Sequence, residues 1–171
     1  ISIDAAVSTL LQENKVGGNG GFGISVANIT QPALRRANRP MLFGTVKLLG
    51  NVSGVFKMPD GSVVTVPNAL GGLNVTDLYQ PILGEIGSLL NNVFAGNNGP
   101  GALIERCLGA KINGGFFGTD PTGTVGIGNN GPGVEVSDST LTEVHQATIS
   151  GNEEEGLYGH ELPDDNSGEP T

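Results

Sequence analysis

A chain of 171 residues with 37% hydrophobic content is long enough to bury one core, so a single domain is the default. Its net charge of −9 is unevenly laid out: up to Lys111 eight bases face six acids, a net of +2, whereas from Ile112 onward eleven acids face no base, a net of −11. The acidic end argues against nucleic acid as a partner, no apolar run approaches the roughly 20 residues of a membrane-spanning helix, and the lone Cys107 excludes an intramolecular disulfide and any cysteine-built metal site.

From Asp4 to Val16 the apolar positions Ala6, Val7, Leu10 and Leu11 come close to helical spacing, with Asp4 as N-cap and Gly17 as stop, which predicts a capping helix. A short strand over Thr9 to Gln12 is the equal alternative. Gly18-Asn19-Gly20-Gly21-Phe22-Gly23 before Ile24-Ser25-Val26 is the first copy of a turn-and-strand pattern. Between Asn28 and Asn92 that pattern survives only as Gly50-Asn51-Val52-Ser53-Gly54, so residues 28–92 read as an atypical insertion. Inside it Val55 to Met58, the turn Pro59-Asp60-Gly61, and Ser62 to Val66 predict a β-hairpin. Leu78, Ile82, Ile86, Leu89 and Leu90 then predict a short helix, weakened by Gly84 and Gly87. From Val93 to Tyr158 the pattern returns three times: Gly96 to Gly101 before Ala102-Leu103-Ile104, Gly128 to Gly133 before Val134-Glu135-Val136, and Gly151 to Gly156 before Leu157-Tyr158. The domain thus spans 1–159, and residues 160–171 predict a disordered acidic tail.

A turn and a strand recurring every few tens of residues is the mark of stacked coils. Asn19 to Asn51 and Asn97 to Asn129 are each 32 residues apart, Asn129 to Asn152 is 23 and Asn51 to Asn97 is 46, which fits a coil of about 23 residues enlarged by loops. Such coils turn sharply, and Gly and Asn accept the positive φ that sharp turns need. Asn19, Asn97, Asn129 and Asn152 are therefore expected to be structural, passing side-chain amide hydrogen bonds from rung to rung. A β-sandwich is the alternative fold, since it too would explain the hairpin.

The run Lys111 to Thr124, followed by Gly128-Asn129 and by Ala147-Thr148-Ile149-Ser150-Gly151-Asn152, resembles the right-handed parallel β-helix repeats of large secreted and cell-surface proteins, the superfold shared with pectate lyases. The resemblance is good over residues 92–157, fair over 14–26 and poor between. It implies an all-β, right-handed parallel β-helix in an extracellular or cell-surface setting, onto which the hairpin and short helix read from residues 28–92 would be inserted. It implies little about activity, because such repeats occur in adhesins, structural surface proteins and polysaccharide-processing enzymes alike.

Enzymes on this fold resemble one another in clustering Asp residues for calcium or acid–base work, and no such cluster is readable here. Asp120 sits in an ordinary Asp-Pro-Thr-Gly turn. Glu105, Arg106 and Lys111 could line one face, though a solvated outer surface is the favoured reading; Glu153, Glu154 and Glu155 with Asp164 and Asp165 offer calcium at most a weak site, and no other cofactor is expected. Cys107 reads as a small buried residue unless His145 or His160 stands beside it as a base. Asn28, Asn51 and Asn74 head Asn-X-Ser/Thr triplets, acceptors for N-glycosylation in a secreted protein. The sequence thus favours a non-catalytic, extracellular structural or adhesive glycoprotein that stacks head to tail into filaments, with a carbohydrate-binding or polysaccharide-processing module as the alternative. Glycans and further copies of itself are the expected partners.

Overall fold

The computed structural model describes residues 1–4, 9–27, 46–84 and 91–161. They form eighteen strands and, among the described residues, no helix, hence none long and apolar enough to cross a membrane.

The chain passes through three parallel sheets in a fixed cyclic order. β1 (Ser2–Asp4) lies in the first sheet, β2 (Thr9–Gln12) in the second and β3 (Lys15–Val16) in the third. The second pass repeats the order with β4 (Phe22–Ala27), β5 (Val46–Leu49) and β6 (Val52–Ser53). An antiparallel hairpin, β7 (Val55–Lys57) with β8 (Val63–Thr65), follows as its own small sheet. The third pass is β9 (Gly71–Thr76), β10 (Ile82–Gly84) and β11 (Val93–Phe94); the fourth is β12 (Ala102–Glu105), β13 (Lys111–Asn113) and β14 (Phe116–Phe117). The fifth is β15 (Val134–Ser137), β16 (Glu143–His145) and β17 (Thr148–Ile149), and β18 (Leu157–His160) returns to the first sheet. The first sheet therefore holds six strands and the other two hold five.

Register turns alternating sequence into a continuous core. Ile24, Leu73, Ala102 and Val134 fall in line across the first sheet, with Val26, Val75, Ile104 and Val136 two residues on. Leu48, Leu83 and Ile112 align across the second sheet, Phe94 and Phe117 across the third, their ring centroids 5.6 Å apart. Nearly all are wholly buried, each such burial contributing about 1.5–3 kcal/mol. The residues between them face outward. Outside the third sheet a smaller cluster of Val55, Val93 and Ala95, edged by Val52, Phe116 and Ile127, packs the start of the hairpin onto the sheet.

The corners between sheets repeat as well. Asp77, Arg106 and Asp138 follow the aligned residues Thr76, Glu105 and Ser137, and each has a positive φ, of 57°, 49° and 49°. At Gly54 (φ 85°) the constraint is absolute, since a Cβ would stand 2.3 Å from Ala95 O and 2.5 Å from Asn97 Oδ1.

Five expectations are corrected. The capping helix over Asp4 to Val16 gives way to its equal alternative, the strand over Thr9 to Gln12, which is β2, and to β3: Leu11 points inward while Leu10 and Gln12 point out, and β5 supplies the pairing that a lone helix would lack; residues 5–8 lie outside those described. The short helix gives way at its start to β10, where Leu83 is clamped between Leu48 and Ile112; residues 85–90 lie outside those described. The stretch 46–84 is no insertion, because it contributes strands to all three sheets and only the hairpin departs. The β-sandwich is overturned, because every strand pair in the three large sheets is parallel whereas sandwich sheets are antiparallel. His160 closes β18 rather than opening a tail, and residues 162–171 lie outside those described.

Candidate functional site

The feature that organises the interior is a file of asparagines at the turn between the third and first sheets. Asn19 donates its backbone N–H (3.2 Å) and Nδ2 (2.7 Å) to Asn68 Oδ1, and Asn68 Nδ2 reaches Asn97 Oδ1 at 2.8 Å. Asn97 donates its backbone N–H (3.1 Å) and Nδ2 (3.0 Å) to Asn129 Oδ1, and Asn129 does the same to Asn152 Oδ1 at 3.2 and 2.9 Å. Spare amide hydrogens go to main-chain carbonyls, Asn97 to Ala95, Asn129 to Phe94 and Asn152 to Phe117. Asn68, Asn97 and Asn129 are buried, so each bond replaces water that is not there. Among the described residues only Thr142 Oγ1 is a buried side-chain polar atom without a partner.

Asn19, Asn97, Asn129 and Asn152 thus stand in one file. Asn68, which sequence reasoning passed over, stands with them, while Asn51 does not. Asn68 follows Pro67 without the glycine that flags the others, and it lies 49 residues from Asn19, with the hairpin between them, and 29 from Asn97. Asn51 belongs to a second file between the second and third sheets. There Asn14 Nδ2 donates to Asn51 Oδ1 (2.9 Å) and Asn51 Nδ2 to Asn92 Oδ1 (3.1 Å).

The files have direction. From one asparagine to the next, each side-chain amide donates to an Oδ1 nearer the end of the molecule where β16, β17 and β18 lie, while spare amide hydrogens turn back to main-chain carbonyls, so both files begin at an unmet acceptor and the first ends in an unmet donor. Among the described residues nothing donates to the side-chain oxygens of Asn14 and Asn19, and nothing accepts from the backbone N–H of Asn152.

The three glycosylation triplets separate on this geometry. Asn51 is wholly buried, its Nδ2 shared between Leu11 O (2.9 Å) and Asn92 Oδ1, so a glycan there is incompatible with the packing. Asn74 faces outward on β9, half-buried, and accepts a hydrogen bond from Thr76 Oγ1 at 2.8 Å. Asn28 lies outside the described residues.

The remaining titratable groups are dispersed. Cys107 sits in the core, its thiol pushed up to about 12 by burial, which removes it as a nucleophile at neutral pH. Glu105, Arg106 and Lys111 do not share a face: Glu105 ends a first-sheet strand, Arg106 turns the corner and Lys111 opens a second-sheet strand. Arg106 donates to both oxygens of Asp77, at 2.9 and 3.2 Å, and also to Glu105. Burial opposes its charge, but these carboxylates outweigh burial and hold the guanidinium protonated more firmly than usual. On the second sheet His145 and Lys111, each 3.1 Å from Glu143 Oε2, hold that carboxyl below its ordinary range. On the first sheet His160 Nε2 lies 3.1 Å from Glu135 Oε1 and stacks on Tyr158 with centroids 5.1 Å apart. An open cleft of about 590 Å³ beside it is lined by Glu154, Glu155 and Tyr158. Asp120 closes its own turn, accepting from Thr124 N–H (3.1 Å) and Val125 N–H (3.0 Å). Among the described residues no three His, Cys, Asp or Glu side chains gather into a metal-holding group, and Asp164 and Asp165 lie outside them.

In comparison with known proteins, no family model, curated protein or solved structure matches this chain.

Proposed function

We propose that the chain is a right-handed parallel β-helix serving as a non-catalytic structural subunit that associates with itself end to end. The cyclic order of the three sheets supports the β-helix, and the strong preference of parallel crossovers for one hand supports its handedness. The observation that carries self-association is that both ends leave open parallel edges among the described residues. At one end these are β1, β2 and β3; at the other, β16, β17 and β18. Unpaired edges template further strands unless they are covered, and a contact between two different ends of one molecule propagates as an open fibre. The resemblance to secreted and surface repeats supports an extracellular setting for such a subunit, with Asn74 rather than the buried Asn51 as the glycosylation site that its packing accepts.

Negative-stain electron microscopy of the native protein, concentrated at low and at high salt, tests the reading. Uniform filaments are expected. Single particles in every condition would remove it, and filaments indifferent to salt would take charge asymmetry out of the explanation.

A second reading, binding of a polysaccharide, draws on one observation: exposed Tyr158 beside Glu154 and Glu155 in an open cleft offers a stacking ring next to hydroxyl acceptors. A glycan-array screen with the Tyr158→Ala variant as control distinguishes it.

A further inference from the structure

The two ends of the molecule match each other residue by residue. Gln12, Glu13, Lys15, Val16 and Asn19 are spaced as His145, Gln146, Thr148, Ile149 and Asn152 are, and Glu13 and Gln146 share a φ of 53°. No insertion interrupts either segment, whereas the hairpin and the 119–127 loop enlarge passes between them. The end of the molecule is therefore shaped like the surface on which its beginning would fit.

The apolar column runs out in the same register. Ile3, Leu11 and Val16 at one end and Val136, Val144 and Ile149 at the other are all only partly buried against the core. Laid head to tail with Asn19 of one copy following Asn152 of another, these six meet in pairs: Ile3 on Val136, Leu11 on Val144 and Val16 on Ile149. The unmet Asn152 donor then reaches the unmet Asn19 acceptor. A head-to-head contact would instead set acceptor against acceptor.

One strand stands in the way. The sixth strand of the first sheet means that β18 of one copy and β1 of the next claim the same place beside β15. β18 is the weaker claimant. Over Val136 it places Gly159, which has no side chain, and its Leu157 and Tyr158 are 52% and 41% exposed. β1 would place Ile3 there. We propose that a second copy of this chain docks head to tail by exchanging strands, its β1 displacing β18 from β15 while its β2 and β3 extend β16 and β17. The proposal rests on the end-to-end reading above and specifies its junction.

The test mixes two full-length variants, Gln12→Cys and His145→Cys, under mild oxidation. These exposed positions become neighbours on adjacent strands, within the Cα separation that a disulfide tolerates, and the buried Cys107 takes no part. Disulfide-linked dimers are expected in the mixture and in neither variant alone. Hydrogen exchange on assembled native protein is expected to lose protection at residues 157–160 while 10–16 and 143–149 gain it. Gly159→Pro, which weakens β18, is expected to lower the concentration at which assembly begins, and Gly159→Val to raise it. Assembly without the cross-link overturns this junction but leaves end-to-end association standing, as does assembly with β18 still protected. Absence of assembly in both native protein and Gly159→Pro overturns both, as does protection of residues 162–171 in the lone molecule, which would identify that segment as what covers the edge.

Discussion

Asn97 meets Asn129 twice on one atom: the backbone N–H and the side-chain Nδ2 of Asn97 both point at Asn129 Oδ1, 3.1 and 3.0 Å away. The pincer fixes side chain and main chain at once, which explains how a glycine-rich turn stays ordered within a stack whose passes differ in length.

Removing one buried member should therefore be costly. Asn129→Ala strands two donors on Asn97 and frees Phe94 O and Asn152 Oδ1, and a loss of about 3 kcal/mol is expected in urea unfolding. Asn19→Ala, at the exposed end, should lose about 1 kcal/mol or less. Equal losses at the two positions would show that the file does not act through burial.

Gly54→Ala should rival that damage without removing any hydrogen-bonding side chain. Its Cβ would meet Ala95 O and the Asn97 carboxamide at a left-handed φ, so a loss of about 3 kcal/mol is expected. Gly61→Ala, at φ 86° on the open hairpin tip with nothing near its Cβ, is the control, and thermal melts of the pair separate backbone strain from steric exclusion.

Cys107 should give the fold an alkaline limit. Its folded thiol is raised from 9.0 to about 12, so its contribution is fully present below pH 9 and is lost as pH climbs toward 12, when the unfolded chain gives up a proton that the folded one keeps. The slope is about 1.4 kcal/mol per pH unit. Unfolding curves at pH 8 and pH 10.5 should show it in the native protein and not in Cys107→Ala; parallel behaviour would mean that the thiol ionises without unfolding.

Expression in a glycosylating host should leave Asn51 bare in folded protein. Mass spectrometry of the soluble fraction is expected to find any glycan at Asn74, with Asn51 unoccupied. A glycan on Asn51 in monodisperse protein would contradict the second asparagine file.

The sequence showed the file best where the chain spends the fewest residues per pass. Asn129 and Asn152, 23 residues apart with Gly before each, were plain. Asn68 was hidden because the hairpin shifted it and Pro67 took the place of glycine, while Asn51 carried the glycine but belongs to the neighbouring corner. Period alone cannot say which corner of a three-sided stack a turn occupies. Helix and strand stood level over Asp4 to Val16, although Thr9 to Gln12 is a strand, for a related reason: a four-residue strand is too short to display alternation, and its pairing partner lies 37 residues away. The junction between ends was invisible to sequence because it depends on which apolar residues the core leaves half-covered.

The uniform direction of the asparagine files has an electrical consequence. Side-chain amides lined up head to tail add their dipoles as peptide groups do in a helix, giving the stack a partially negative face by Asn14 and Asn19 and a partially positive one by Asn152. Lys15 directly follows one open acceptor and Glu153, Glu154 and Glu155 directly follow the open donor, where such a field favours their charges, whereas Glu13, directly before Asn14, lies against it.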